Sequence, residues 1–295
     1  MVSWLGVAFA VGAAVFLAGQ ALTIRVATRR GSSADVLLVV MGVNLAVLAP
    51  LALVFDPDPT ITPRAVAAFA AAGIVGTMLG RILFYSGIKR IGASRAEPIK
   101  ASMPLHATVL AVVFLGEVVT AEQFAGVFLI VAGIALITWD GSRSGVGGED
   151  TPWIGLALPL VAAVLFALEP IFATIGLREG TSVFLGLAIK TGAAMAVFTG
   201  YLAVTRSLPE PGSIPSSELR WYVLAGVMST GFLLTYYAGL SVSRVGIVVP
   251  IMQTSPLIVL AVSAVFLRES ERVTGRLLFA VLVVVLGAVT VTLGG

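Results

Sequence analysis

The chain of 295 residues contains no cysteine, which rules out disulfides, thiolate nucleophiles and cysteine metal ligands. It has a single histidine, His106, which cannot build a metal centre alone. Charge is scarce as well: only 11 % of residues are Asp, Glu, Lys or Arg, too few to give a soluble domain of this length a hydrated surface. A GxxxxGK[ST] phosphate-binding loop is missing, so ATP hydrolysis by that device is not expected, and no residue pattern calls for a cofactor.

What the chain has instead is apolar length. Apolar residues make up 58 % of it and the mean hydropathy is +1.06. A helix needs roughly 20 apolar residues to cross a ~30 Å hydrocarbon core, and ten such windows occur, at about 3–24, 34–55, 65–87, 93–115, 121–139, 153–177, 182–204, 219–240, 246–267 and 273–293. The short alternating pattern of a membrane barrel is absent. The fold class is therefore all-α and integral to the membrane, multi-pass, with the lipid bilayer as solvent. Net charge is +3, but the basic residues are spread over short loops and form no patch, so nucleic acid is not expected as a partner. The first apolar segment lacks a basic n-region, and its "WLG" at 4–6 is echoed by "WIG" at 153–155, so it reads as a permanent helix.

That echo is part of a repeat. "PIKASMPLHATVLAVVFLGE" at 98–117 and "PIMQTSPLIVLAVSAVFLRE" at 250–269 share eight of twenty positions at an offset of 152, which also pairs Tyr85 with Tyr237 and Gly87 with Gly239. At an offset of 149, Trp4, Gly6, Ala13 and Ala14 match Trp153, Gly155, Ala162 and Ala163. Residues 1–140 and 153–295 read as two five-helix repeats joined by the polar, glycine-rich linker 141–152. Because five is odd, the second copy enters the bilayer from the opposite side, so the repeats are inverted.

The charges agree with this. Loops after the odd spans carry Arg25, Arg29, Arg30, Lys89, Arg90, Arg95, Arg143, Arg206, Arg220, Arg268, Arg272 and Arg276, whereas the opposite face carries Arg64, Arg178 and Arg244. By the positive-inside rule both termini would lie outside the cell.

Inverted repeats about an in-plane axis are how many secondary transporters are built, with broken helices around a midplane site. Pro98 and Pro104 in the fourth span and Pro250 and Pro256 in the ninth each remove a backbone donor. Both spans are expected to break there, either beside a cavity or as a packing kink.

The run from Tyr85, "Y-x-G-I-x-x-x-G-A-S-x-A", then "P-x-x-x-x-x-P-L", then "F-L-G-E-x-x-T-x-x-Q-x-x-G-x-x-L-I-x-x-G", resembles the EamA-type repeat of the drug/metabolite transporter superfamily. The second copy departs from it at Arg268, where glycine is expected, and at "GIVVP", 246–250. The resemblance implies a secondary transporter of small metabolites in a cell membrane, often an exporter of amino acids or their derivatives, with a central cavity lined by spans 1–4 and 6–9. It also implies cytoplasmic termini, against the charge count, so the orientation stays open. Such a protein would act as monomer or homodimer, with a small-molecule metabolite as partner and protons as a candidate coupling ion.

The intramembrane polar residues are the candidates for a site, because a charge at the bilayer centre costs about 2.5–3.5 kcal/mol unless paired or hydrated. They are Gln20, Asn44, Arg81, Glu97, Lys100, His106, Glu169, Lys190 and Gln253. Glu169 and Lys190 each lie about 12 Å from the same edge by helical rise, so they could pair, as a structural clip or as a substrate and proton site. Gln20 is the repeat counterpart of Glu169, and Asn44 lies near that of Lys190. Arg81 could meet an anionic group or snorkel. Glu97 and Lys100, three apart, could satisfy each other. His106 is a candidate proton relay or a hydrogen-bonded core residue. Tyr85 and Tyr237 suit either a site or the membrane interface.

Glu117, at a span end, reads as structural. Thr120 with Gln123 reads as a capping box, and Gly76 with Gly80 as a close helix contact. Spans 5 and 10 carry no charged or amide residue over 124–138 and 277–293 and should lie away from the site. An intramembrane enzyme acting on a lipid-linked substrate is the alternative, though no nucleophile motif or metal-ligand spacing supports it.

Overall fold

A computed structural model of the chain describes residues 3–27, 33–56, 58–59, 61–91, 93–140, 153–208, 214–266 and 275–294, all helices and short connections. The first half holds α1 (Trp4–Ala27), α2 (Ser33–Phe55), α3 (Pro63–Ala71), a π-helical segment (Ala72–Leu79), α4 (Gly80–Ile91), α5 (Ala93–Lys100), α6 (Met103–Leu115) and α7 (Ala121–Asp140). The second half holds α8 (Trp153–Arg178), α9 (Val183–Val204), α10 (Ser216–Val242), α11 (Val245–Met252), α12 (Ser255–Phe266) and α13 (Gly275–Leu293). Eight stretches are long and apolar enough to cross a membrane, and the apolar parts of α7 and α13 are shorter. The linker 141–152 lies outside the described residues, as do Arg29, Arg30, Arg143, Arg268 and Arg272.

The helix starts follow from their capping residues. Thr62 accepts the Ala65 amide at 3.0 Å with Pro63 opening α3, and Ser182 accepts the Leu185 amide at 3.2 Å to start α9. Thr120 and Gln123 exchange two 3.1 Å bonds, the reciprocal capping box of α7. Preceding it, α6 stops at Gly116, whose φ of 66° is left-handed.

Both proline-bearing spans break. The α5–α6 break falls at Ala101–Ser102 and the α11–α12 break at Gln253–Thr254, 152 positions later. One repair is shared: the Ser102 hydroxyl donates to the Ile99 carbonyl and the Thr254 hydroxyl to the Ile251 carbonyl, each at 2.7 Å. Pro104 and Pro256 stand in the first turn after each break, where a missing amide costs least.

Close approaches of glycine reveal how the copies are related. A Cβ on Gly6 would strike Ser243, and one on Gly155 would strike Ile91. Gly6 and Gly155 correspond between the repeats, as do Ile91 and Ser243, so the two contacts are one contact made twice at opposite ends of the bundle. Residues of the even loops gather at one end: Arg64 pairs with Glu179 at 3.1 Å, and the Thr120 hydroxyl donates to the Gly294 carbonyl.

The third span differs from its expected form. Instead of one regular helix, it widens into the π segment over Ala72–Leu79, which contains no proline. Gly73 there lies against the Lys190 carbonyl and Gly76 against the Glu169 side chain, with Gly80 against Phe166. Bare glycine backbone lets α8 and α9 approach this closely. On the periphery, α7 and α13 pack together through Gly126, Gly133 and Gly287 and turn Phe128, Phe279, Leu282 and Leu286 outward, a surface suited to lipid.

Candidate substrate site

A buried polar cluster lies between α8, α9 and α10 and faces the π segment. Glu169 sits one turn past Phe166 on α8, and Lys190 of α9 reaches its Oε1 at 2.6 Å. Tyr237 of α10 donates its hydroxyl to the same oxygen at 2.8 Å, while the Lys190 ammonium stands 4.9 Å from the centre of the Tyr237 ring. The Lys190 and Glu169 side chains are only 7 % and 13 % exposed, so charge, ring face and hydroxyl satisfy one another with little help from water. Tyr236 packs edge-on against Tyr237 at 5.6 Å, and Phe69 stacks on it at 6.4 Å. The Tyr236 hydroxyl is buried without a partner among the described residues.

A second ion pair lies toward the odd-loop end. Lys100 meets Glu97 at 2.9 Å and stands 4.7 Å above the Phe84 ring, both partners about one-third exposed at 31 % and 39 %. Phe84 meets Phe166 edge-on at 6.3 Å. Along the bundle the order is thus a half-hydrated ion pair, two phenyl rings, and the buried pair with its tyrosine.

Beyond Glu169, toward the even-loop end, a cavity of about 430 Å³ opens between the ends of α8, α9 and α10. It is lined by Thr174, Arg178, Leu240, Arg244 and Glu117 among others. Glu117 is buried and spent on structure: its two oxygens accept the Val245 and Gly246 amides at 2.8 and 3.0 Å and so cap α11.

The remaining candidates lie apart from this cluster. Asn44 ties α2 to α10, within 3.1 Å of Ser229 and 2.9 Å of Thr230, and its other amide orientation adds the Val40 and Gly226 carbonyls. Gln20 is buried in α1. Arg81 is half-buried on α4 without a carboxylate partner among the described residues. Tyr85 is 50 % exposed and touches Phe84. His106 donates Nδ1–H to the Ser102 carbonyl at 2.9 Å, bracing the α5–α6 break. Gln253 caps α11 at the other break. Pro98, Pro104, Pro250 and Pro256 shape the breaks and do not line the 430 Å³ cavity.

Sequence reasoning passed over Phe69, Tyr236, Thr174 and the cavity's two arginines. The arginines had a signal: they are two of three bases on a face otherwise bare.

The sequence pattern of the EamA-like transporter family matches residues 4–139 and again 153–293. The chain belongs to that family. It is a multi-pass membrane protein of a family named for transporters. Among relatives, it is 28 % identical over 133 residues to the "Uncharacterized transporter YwfM" of Bacillus subtilis (strain 168), covering 45 % of each chain. It is 28 % identical over 201 residues to the "Probable terminal-alkyne amino-acid exporter" of Streptantibioticus cattleyicolor, 67 % of this chain and 60 % of that one. The matched stretches thus span about half the length of these relatives. A known crystal structure aligns over 98 % of this EamA-like chain and 96 % of its own, with a TM-score of 0.80 at 19 % identity, a likeness of fold.

Proposed function

We propose that this EamA-like protein is a secondary exporter of a small amino-acid-like or anionic metabolite, working by alternating access with the Glu169–Lys190–Tyr237 cluster as its substrate site. The observation that carries the reading is the buried ion pair at 2.6 Å on the helices that face the π segment. An internal salt bridge holds the place of a zwitterion. A substrate ammonium replaces Lys190 on Glu169, a substrate carboxylate replaces Glu169 on Lys190, and the buried charge stays balanced throughout. Tyr237 follows the carboxylate oxygen through either state. Protonation of Glu169 is the second way to part the pair, and it supplies a route for proton coupling.

One relative's name supports this direction and cargo, being that of a probable amino-acid exporter. The two broken spans give the hinges, and the Phe84–Phe166 edge contact gives a narrow point between the two ion pairs.

The test is counterflow of radiolabelled amino acids in proteoliposomes, wild type against Glu169→Gln, with and without a pH gradient. Wild type should exchange at least one amino acid, and Glu169→Gln should lose about tenfold or more in kcat/KM, the worth of one charge-assisted bond. Equal exchange by both proteins reduces the pair to a packing clip.

A further inference from the structure

Arg178 and Arg244 at the even-loop cavity have no part in the inner cluster, yet they are unusually well placed. Each is anchored by one bond to the end of α6 or the turn after it: Arg178 Nη1 donates to the Leu115 carbonyl at 3.0 Å and Arg244 Nη1 to the Val118 carbonyl at 2.9 Å. A guanidinium has five N–H donors, so among the described residues most remain unspent. Neither arginine has a carboxylate partner among the described residues. The carboxylate beside them, Glu117, gives both oxygens to the α11 amides. The cavity thus holds two guanidinium charges against one anion that is already engaged.

Thr174 on the cavity wall supplies an independent sign. In this protein Thr23, Thr108, Thr230 and Thr235 each return the hydroxyl to the carbonyl four residues earlier. Thr174, on the wall, is 6 % exposed and its hydroxyl has no partner among the described residues. Buried hydroxyls without partners mark a place where a ligand or water completes the set. The cavity is also in line with the inner cluster. By helical rise, Thr174 lies about 7.5 Å beyond Glu169 on α8 and Leu240 about 4.5 Å beyond Tyr237 on α10.

From this we propose that the even-loop cavity is an outer carboxylate-binding station, where Arg178 and Arg244 hold the anionic end of the cargo one step away from Glu169 and Lys190. That the carboxylate is the cargo's own rests on the function proposed above; that the cavity binds carboxylates does not. Two anchored guanidiniums are pre-ordered for a planar anion, and Thr174, with its hydroxyl unpartnered among the described residues, stands on the wall beside them.

The experiment is phenylglyoxal labelling of the intact wild-type protein in detergent, read at each arginine by peptide mass spectrometry. Glycine, L-alanine and L-leucine are the protectants, and their amides, which keep the ammonium and lack the carboxylate, are the controls. Exposed Arg220, stacked near Trp221 and remote from the cavity, is the internal standard. An acid at about ten times its Kd should slow labelling of Arg178 and Arg244 about tenfold while Arg220 is unchanged. Thr174→Val should weaken that protection by about three- to tenfold.

Absence of protection by all three acids, or equal protection by the amides, overturns the station. The same labelling of Glu169→Gln separates the two readings. Protection kept while that variant still transports removes the inner site and leaves the station standing. Protection absent in wild type while Glu169→Gln fails to transport does the reverse.

Discussion

At the fourth span, the Ser102 hydroxyl closes a helix break onto Ile99, and 152 positions later Thr254 closes the ninth span onto Ile251 with the same bond length. At the first span, by contrast, Gln20 occupies the place that Glu169 takes in the sixth, and no ion pair forms around it among the described residues. Tyr85 is half exposed where its counterpart Tyr237 is fully buried on a carboxylate. Gly76 backs onto Glu169, while its counterpart position, Met228, backs onto Gly19 beside Gln20. The repeats therefore share hinges and close contacts and differ in charge. Hinge symmetry is what alternating access needs, since each half must bend equally well. Under the proposed function a cargo needs only one binding group, so the polar cluster can lie in one half alone.

The largest way to break this comparison is to unpair the charged half. Lys190→Leu leaves Glu169 buried with only Tyr237, and losing one partner of a buried pair costs about 3–5 kcal/mol. Thermal unfolding in detergent should show that loss. The double variant Glu169→Gln with Lys190→Leu should recover most of the stability and none of the transport. Asn44→Leu, at the rough counterpart of Lys190, strands the Ser229 hydroxyl at about 1–3 kcal/mol, while Thr230 keeps its bond to the Gly226 carbonyl, and should leave the KM for amino acids unchanged. A larger loss for Asn44→Leu than for Lys190→Leu would reverse the assignment of roles.

A finer test uses the tyrosines. Tyr237→Phe removes one hydrogen bond to a carboxylate, about 1.5–3 kcal/mol, and should raise KM, because Glu169 then loses the donor that follows it between states. Tyr85→Phe removes a hydroxyl from a half-exposed side chain and should lie within about 0.5 kcal/mol of wild type. Equal effects would mean that the pairing of Tyr85 with Tyr237 in sequence reflects a shared function that the geometry hides.

Much of the frame was legible because apolar length, proline position and a constant offset are local properties of sequence. Ten apolar windows follow from composition, and both breaks follow from prolines kept in both copies. The meeting of Glu169 with Lys190 was within reach of helical rise alone, since both lie at the same depth on consecutive spans. Three features were out of reach. The π segment coincides with the close approach of α8 and α9 at Gly73 and Gly76, partners far along the chain. Arg178 and Arg244 looked like ordinary loop charges until three helix ends were seen to enclose a cavity. Tyr85 looked equivalent to Tyr237 because offset arithmetic reports position and says nothing of which face the neighbours cover.

The smallest expected effect bears on the hinges themselves. Ser102→Ala and Thr254→Val each remove a hydroxyl bond to a carbonyl that already accepts a backbone amide, so each should cost about 0.5–1.5 kcal/mol. They should not cost the same. In the first repeat the Ser102 carbonyl also accepts His106 Nδ1–H at 2.9 Å, a brace that the second repeat lacks because Ile258 stands at the matching position. Thr254→Val should therefore destabilise more than Ser102→Ala by a few tenths of a kcal/mol, and His106→Ile should erase the difference. The same variant decides what the histidine is for. If His106 is only a brace, His106→Ile changes unfolding temperature and leaves the pH profile of counterflow as it was. If instead the profile shifts, the proton route runs through the first repeat, and the charged half no longer works alone.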